Sequence, residues 1–256
     1  MRLTTVGTGT ISLSPSRACA GHLIEAGAIR LLLDCGPGVA HRLAEYGLDW
    51  WGITHVAFTH FHLDHVADFA PLVFAWRYAR VAPRSDPLTV IGPPGTRDML
   101  TRQSHAHGAF VLEPGFPVQI IEIEPNTAIE LGDGVRMSAC PVPHTAESVA
   151  YSIERGGRRV VYTGDTGFDL ALARWAHKCD VLLVECSLPA RMRVASHLTP
   201  EECAELARQA APRHLVLTHL YPPLDDENVQ QAVSAHFAGP VTVATDGWSL
   251  DIEEDQ

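Results

Sequence analysis

Basic residues are scarce in this chain and nowhere run together. Its 256 residues hold 19 Lys and Arg against 30 Asp and Glu, a net charge of −11 with histidines neutral. A polyanion gripped through its phosphates is thereby disfavoured, because nonspecific affinity for nucleic acid comes mainly from cationic side chains. A small phosphorylated substrate is not excluded, since bound metal can supply the local positive charge. The six cysteines (Cys19, Cys35, Cys140, Cys179, Cys186, Cys203) form no CxxC pair and no framework spacing, which excludes a disulfide scaffold and reads as reduced core residues. No run of about 18 apolar residues is present, and the first residues pass directly into a strand without an apolar leader or cleavage site. A soluble cytoplasmic protein with no membrane partner is the expectation. No linker, low-complexity segment or repeat interrupts the chain, and 46% hydrophobic residues supply a sizeable core, so residues 1–256 read as one domain.

Histidine, in contrast, is abundant at 14 residues. His60-Phe61-His62-Leu63-Asp64-His65 packs three imidazoles and a carboxylate into six residues, directly after the apolar run Thr54–Thr59. That run has the composition of a buried strand, so the cluster sits where a strand ends and the chain turns, the usual place for chemistry in α/β folds. Four such groups on one turn cannot all be satisfied by ordinary core hydrogen bonds; a metal, or a pair of metals, is the economical explanation.

Along the chain, strands are expected at Leu3–Val6, His22–Glu25 and Ile29–Asp34, then a helix from Val39 to Tyr46 closed by Gly47. A helix from His65 to Tyr78 follows the cluster, then strand Leu88–Ile91, a helix over Thr96–Gln103 and a loop over Ser104–Pro117. The second half reads as strands Gln119–Ile123, Arg136–Pro141, Ser148–Glu154 and Arg159–Thr163, the last two joined by the Arg155-Gly156-Gly157-Arg158 turn. A helix over Leu170–His177, strand Val181–Glu185, and a helix opened by Thr199-Pro200-Glu201-Glu202 come next. Strand His214–Thr218, helix Glu227–Phe237 and strand Val241–Thr245 complete two strand-then-helix halves.

Polar residues recur at the strand ends. Beyond the His60 cluster, strands run into Pro143-His144-Thr145, Gly164-Asp165-Thr166-Gly167, Glu185-Cys186-Ser187 and His219-Leu220-Tyr221. One such event is bland; five in one domain deliver His, Asp or Glu to what reads as a common edge.

The ordered set His60-x-His62-x-Asp64-His65, His144, Asp165 and His219 resembles the five-motif signature of the metallo-β-lactamase-fold hydrolases, from about Thr4 through Asp246. The resemblance implies an α/β (α+β) fold, a four-layer αβ/βα sandwich with the site at one edge of two packed sheets. It implies one metal on His60, His62 and His144, a second on Asp64, His65 and His219, and Asp165 bridging them. Two zinc ions suit these donors, with manganese or iron as alternatives. A hydroxide between the metals would be the nucleophile. Glu185-Cys186-Ser187 with Ser196-His197-Leu198-Thr199-Pro200-Glu201 resembles the ribonuclease Z-like branch, in which His197, held by Glu185, would stabilise charge or protonate the leaving group. Asp64 would also orient or deprotonate water. Cys186 and Ser187 depart from that branch's usual small-residue pair.

Ribonuclease Z proper carries a long tRNA-gripping arm between the motifs holding His144 and Asp165; here a short hairpin stands in its place. Processing of tRNA is therefore disfavoured, and a small cyclic or nucleotide-like phosphodiester fits better. A lactonase or an aryl phosphate or sulfate ester hydrolase on the same site is the alternative enzyme, and a non-catalytic binding module the alternative from another class. The complete ligand set argues against the latter and against an oxidative iron enzyme. Related enzymes are often dimers, which leaves a homodimer open.

The other histidines have ordinary readings. His105 and His107 lie on the Ser104–Pro117 loop without a following Asp-His and read as surface or pocket-rim residues. His22, His41, His55, His177, His214 and His236 lie in or beside regular elements and read as structural. Trp76, Tyr78, Phe110, Tyr221 and Trp248 are each able to line a substrate pocket, but core packing is the default reading for all five, least strongly for Tyr221. Gly7-Thr8-Gly9-Thr10 has no helix after it and is not a nucleotide fingerprint, but a loop able to flank the metal edge.

Overall fold

The computed structural model describes residues 1–82, 84–224 and 227–253. Short apolar runs, mostly buried on both faces, build the first sheet from β1 (Arg2–Gly7), β2 (Gly21–Ala26), β3 (Ile29–Leu33), β4 (His55–Ala57), β5 (Leu88–Gly92) and β6 (Val118–Glu122). The second sheet takes β7 (Ala128–Gly132), β8 (Val135–Pro141), β9 (Val149–Arg155), β10 (Arg158–Tyr162), β11 (Val181–Glu185), β12 (His214–Thr218) and β13 (Val241–Val243). Strand β14 (Ser249–Asp251) returns to the first sheet and pairs antiparallel with β1. The orders are β14-β1-β2-β3-β4-β5-β6 and β13-β12-β11-β10-β9-β8-β7.

Alternation along the strands divides the apolar residues into three layers of contact. Leu3, Ile24, Leu31, Tyr151, Val160 and Val216 fill the space between the sheets. On the first sheet's outer face lie α1 (Val39–Glu45), α2 (Leu63–Val66), α3 (Phe69–Tyr78) and α4 (Thr96–His107). The second sheet's outer face carries α5 (Leu170–Trp175), α6 (Pro200–Ala210) and α7 (Val229–Ser234). The arrangement is the four-layer αβ/βα sandwich expected from the sequence. Helix α6 opens as its sequence dictates, on a capping box in which Thr199 and Glu202 bond each other's backbone N–H, with Pro200 at the first turn.

Several elements differ from the sequence reading. The helix expected over His65–Tyr78 is two helices, broken at Ala67-Asp68, because Asp68 is claimed by tertiary bonds: its N–H donates to the Cys35 carbonyl and its carboxylate accepts from Ala40 N–H. Helix α4 continues to His107, so His105 and His107 lie on its last turn and not on a loop; a 3₁₀ turn, Ala109–Val111, follows. Strands β7 and β14 are short and mostly half-exposed, which leaves little apolar alternation for sequence to reveal. Strand β3 stops one residue short of Asp34, which turns into the left-handed region at φ 58.

Candidate metal centre

All the strand-end residues converge on one edge of the sandwich. Four parallel strand pairs, β3 with β4, β10 with β11, β11 with β12, and β4 with β5, bring the carboxyl ends of their strands to that edge. The two sheets approach closely there because Gly164, at φ +57, has no side chain; a Cβ would lie 2.7 Å from Thr59 Cβ. Asp165 is thereby carried from the second sheet into the histidine turn of the first.

Two groups of donor atoms result. In the first, His62 Nδ1 lies 3.1 Å from His60 Nε2 and 3.0 Å from His144 Nε2, and Asp165 Oδ2 lies 3.8 Å and 3.7 Å from those same two Nε2 atoms. In the second, Asp165 Oδ1 lies 3.2 Å from His65 Nε2 and 3.3 Å from His219 Nε2, and Asp64 Oδ2 lies 3.5 Å from His219 Nε2. Both groups have the spacing of metal-binding donors, and Asp165, His197 and His219 make a third such combination.

The hydrogen bonds behind these atoms fix the tautomers. Two buried carboxylates do most of this work. Asp34 Oδ2 accepts from His65 Nδ1 at 2.8 Å, from Tyr162 Oη at 2.8 Å and from Thr59 Oγ1 at 2.9 Å. Having donated its hydroxyl proton to Asp34, Thr59 Oγ1 accepts from His60 Nδ1 at 3.1 Å. On the other sheet, Glu185 Oε1 accepts from His197 Nδ1 at 2.9 Å, and Glu185 Oε2 accepts from Ser187 Oγ at 2.5 Å. Ser187 Oγ in turn accepts from His219 Nδ1 at 3.0 Å, while His144 Nδ1 donates to the Ser196 carbonyl at 2.9 Å. Each Nδ1 thus carries its ring's proton, leaving the Nε2 lone pairs of His60, His65, His144 and His219 aimed at the carboxylate oxygens of Asp64 and Asp165.

Acceptors facing acceptors need a cation. His65 Nε2, His219 Nε2 and Asp165 Oδ1 are buried without a hydrogen-bond partner, a costly state for which a shared metal ion is the direct remedy. The electrostatics agree. Burial opposes charge on Asp165, yet His219 and His65 hold its carboxyl well below the usual range. Burial likewise opposes protonation of His65, but Asp165 and Asp34 outweigh it and push its pKa well above the ordinary value. Without metal, a proton is what this carboxylate pocket pulls in. Burial first, then the cationic neighbour His65, lowers His60 to about 2. A set of imidazoles and carboxylates of this kind suits zinc and other borderline divalent ions.

A cavity of about 370 Å³ opens on the cluster, bordered by Ile11, His62, Asp64, Asp165, His197 and Tyr221. Ile11 belongs to the loop after Gly7-Thr8-Gly9-Thr10, and its N–H donates to Asp64 Oδ2 at 3.0 Å, so that loop does flank the metal edge. His197 is half-buried; burial opposes its charge, but its bond to Glu185 and the charge of that carboxylate raise its pKa. His105 and His107 join neither metal group, and His22 is fully buried against Tyr162, edge-on at 4.8 Å, with burial lowering its pKa to about 3. Of the aromatics, Trp76 is buried core while Tyr78 is exposed, contrary to its reading as core. The sequence reading missed Asp34, whose signal was a carboxylate at the end of the apolar run Ile29–Leu33, and treated Ser187 as a departure when it is the link between Glu185 and His219.

Among the described residues, no helix is long and apolar enough to cross a membrane. The segment between His144 and Asp165 is filled by the β9–β10 hairpin. Residues 29–220 match the family model of the beta-lactamase superfamily domain. The chain is 30% identical over 272 residues to ribonuclease Z of Mycobacterium bovis, covering 96% of each. It superposes on the metallo-beta-lactamase fold protein YhfI from Bacillus subtilis with a TM-score of 0.85 at 24% identity, covering 97% of this chain and 98% of that one. For human tRNase Z, short form, the TM-score is 0.80 at 23% identity, covering 99% and 100%. The chain therefore belongs to the beta-lactamase superfamily, in its ribonuclease Z-like branch, and is a metal-dependent hydrolase.

Proposed function

We propose that the protein is a phosphodiesterase acting on a small cyclic or nucleotide-like phosphodiester. His60, His62 and His144 would hold one divalent ion, Asp64, His65 and His219 a second, and Asp165 both; zinc is the first choice and manganese or iron the alternatives. When bound, the pair supplies Lewis acidity toward a phosphoryl oxygen and acidifies water in the site. The chain's own residues do the rest. Asp64, fixed by Ile11 N–H, orients the attacking water from the floor of the cavity. His197 presents Nε2 to the cavity because Nδ1 is tied to Glu185, and the same carboxylate, by raising its pKa, favours the protonated ring that can give a proton to the departing alkoxide.

The single observation that carries this reading is the Glu185–His197 pair on the rim of the metal cavity, at 2.9 Å. An unactivated phosphodiester needs a proton donor at its leaving oxygen; a lactone needs one less. The relatives named ribonuclease Z support a phosphodiester as substrate class, while the hairpin in place of an arm and the net charge of −11 support a small one.

The test is a panel on metal-reconstituted protein: bis(p-nitrophenyl) phosphate, cyclic nucleotides, a ribose cyclic phosphate, a tRNA precursor, lactones and an aryl sulfate. A small diester should lead. His197→Ala should lower turnover of unactivated diesters by about 10²–10⁴-fold with bound metal retained, and spare lactones. Undiminished diester turnover in that variant, or a lactone leading the panel, would remove the reading.

A further inference from the structure

The cavity over the metal groups offers a substrate few hydrogen-bond donors. Asp64 and Asp165 bring acceptors, and His62 belongs to the first donor group for metal. Ile11 and Leu63 border the space with apolar side chains, and Ile11 N–H is already given to Asp64. Among the residues bordering the cavity, the side-chain donors left for a substrate are His197 and Tyr221. A phosphodiester brings two nonbridging oxygens and a leaving oxygen into this space. With one nonbridging oxygen assigned to the metals and the leaving oxygen to His197, the other nonbridging oxygen needs a donor of its own beside two carboxylates.

Tyr221 is held in place to be that donor. Its backbone is pinned on both sides: its N–H donates to the Ser187 carbonyl at 3.2 Å, and its carbonyl accepts from Leu224 N–H at 3.0 Å across the Pro222-Pro223 turn. Its half-buried ring stands edge-on to His197, with centroids 6.3 Å apart, and to His219 at 6.1 Å. Those two imidazoles stack on each other at 5.9 Å, so the phenol sits beside the proton donor and over the metal group at once. Its hydroxyl is hydrogen-bonded to the Thr10 side chain. Thr10 Oγ1 accepts Ser12 N–H at 3.2 Å, which leaves the Thr10 proton for the Tyr221 oxygen and the Tyr221 proton for the cavity. We propose that Tyr221 is a catalytic residue whose hydroxyl donates to the nonbridging phosphoryl oxygen that the metals do not hold. The assignment rests on the phosphodiesterase reading for its kinetics, while phosphate binding tests it separately.

Tyr221→Phe removes the hydroxyl and keeps the ring. On metal-loaded protein it should lower kcat/KM for methyl p-nitrophenyl phosphate by about 10–100-fold, the scale of one hydrogen bond to a charged oxygen. The p-nitrophenolate leaving group needs no proton, so the loss reads the nonbridging oxygen and not the leaving one. Sulfur is the weaker acceptor, and one enantiomer of methyl p-nitrophenyl phosphorothioate turns its sulfur toward Tyr221; for that enantiomer the loss should shrink to about 3-fold or less. No loss with the oxygen ester, or an equal loss with it and with each phosphorothioate turned over, overturns the assignment and leaves the phosphodiesterase reading in place. A variant that loses its bound metal gives Tyr221 a packing role and overturns the assignment too. If the ester or both phosphorothioates are not turned over, calorimetric titration of metal-loaded protein with inorganic phosphate decides. Binding about 10-fold weaker in Tyr221→Phe supports the donor; equal binding, or none to the unmodified protein, overturns it.

Discussion

Asp34 touches no substrate cavity, yet its replacement should be felt at both metal groups. In Asp34→Asn, an NH₂ replaces either Oδ1, which accepts Thr59 N–H at 2.8 Å, or Oδ2, which accepts from Thr59 Oγ1, His65 Nδ1 and Tyr162 Oη. Retaining the oxygen at Oδ2 preserves three bonds but sets the new NH₂ against a backbone N–H. Retaining it at Oδ1 orphans three buried donors. Each unsatisfied group costs about 1–3 kcal/mol. Two can adapt, because the Thr59 hydroxyl can turn and His65, protonated on both nitrogens without metal, can release its Nδ1 proton and keep the one on Nε2, so a net loss of about 2–4 kcal/mol in metal-free stability is expected. The adaptation has a consequence: a proton on His65 Nε2 occupies the lone pair aimed at Asp165, and a turned Thr59 releases His60 Nδ1. Metal affinity should therefore fall about 10–100-fold, as for other residues that orient ligating histidines. Urea unfolding of the metal-free protein and zinc competition against a chromophoric chelator measure the two effects. Tyr162→Phe is the control: it removes one bond to Asp34 without altering any tautomer, so stability should drop by about 1 kcal/mol with affinity unchanged. Equal zinc affinity in Asp34→Asn and the unmodified protein, or an equal loss in Tyr162→Phe, would refute the tautomer argument.

Two other outcomes follow from burial and from linkage. Removing metal with a chelator should lower unfolding free energy by about 4 kcal/mol for each ion held at about 1,000 times its dissociation constant; a thermal midpoint indifferent to chelator contradicts the donor groups. All six cysteines are buried thiols, and burial pushes Cys19 and Cys179 up to about 12 and Cys140 up to about 11. A raised thiol pKa means the protonated, unreactive form at about pH 8, so Ellman's reagent should find no fast-reacting thiol in the native protein and six after denaturation.

The clustering of these candidate ligands was legible in the sequence because its chemistry is local. His60, His62, Asp64 and His65 lie within one turn, and the remaining candidates follow apolar runs short enough to be recognised as strand ends. What holds those ligands was not legible. Asp34 acts on a histidine beyond its own strand, and Ser187 acts on one 32 residues away; neither leaves a spacing signal. The Ala67-Asp68 break was hidden for the same reason, since the apolar pattern runs on and only the contacts with Cys35 and Ala40 interrupt it. Helix α4 was cut short because His105 and His107 are polar and exposed, which removes periodicity without removing the helix.

The two supporting carboxylates belong to opposite sheets, and this permits a test of whether the centre is one unit. Asp34 governs His60 and His65 from the end of β3; Glu185, through Ser187, governs His219 from the end of β11. Ser187→Ala should free His219 Nδ1 and lower metal affinity by about 10-fold while leaving the Glu185–His197 bond in place. In the metal-free protein the two hydrogen-bond sets already meet at Asp165, whose carboxyl both His65 and His219 hold down, so the stability losses of Asp34→Asn and Ser187→Ala should depart from additivity by about 0.5 kcal/mol or more. In the metal-loaded protein they meet at Asp165, whose Oδ1 faces both His65 and His219. Losing one histidine from that oxygen already weakens the site the other serves, so the double variant should lose less zinc affinity than the product of the single losses. Strict multiplicativity in zinc binding would mean that Asp165 does not join the two groups, and that the sheets hold independent metals.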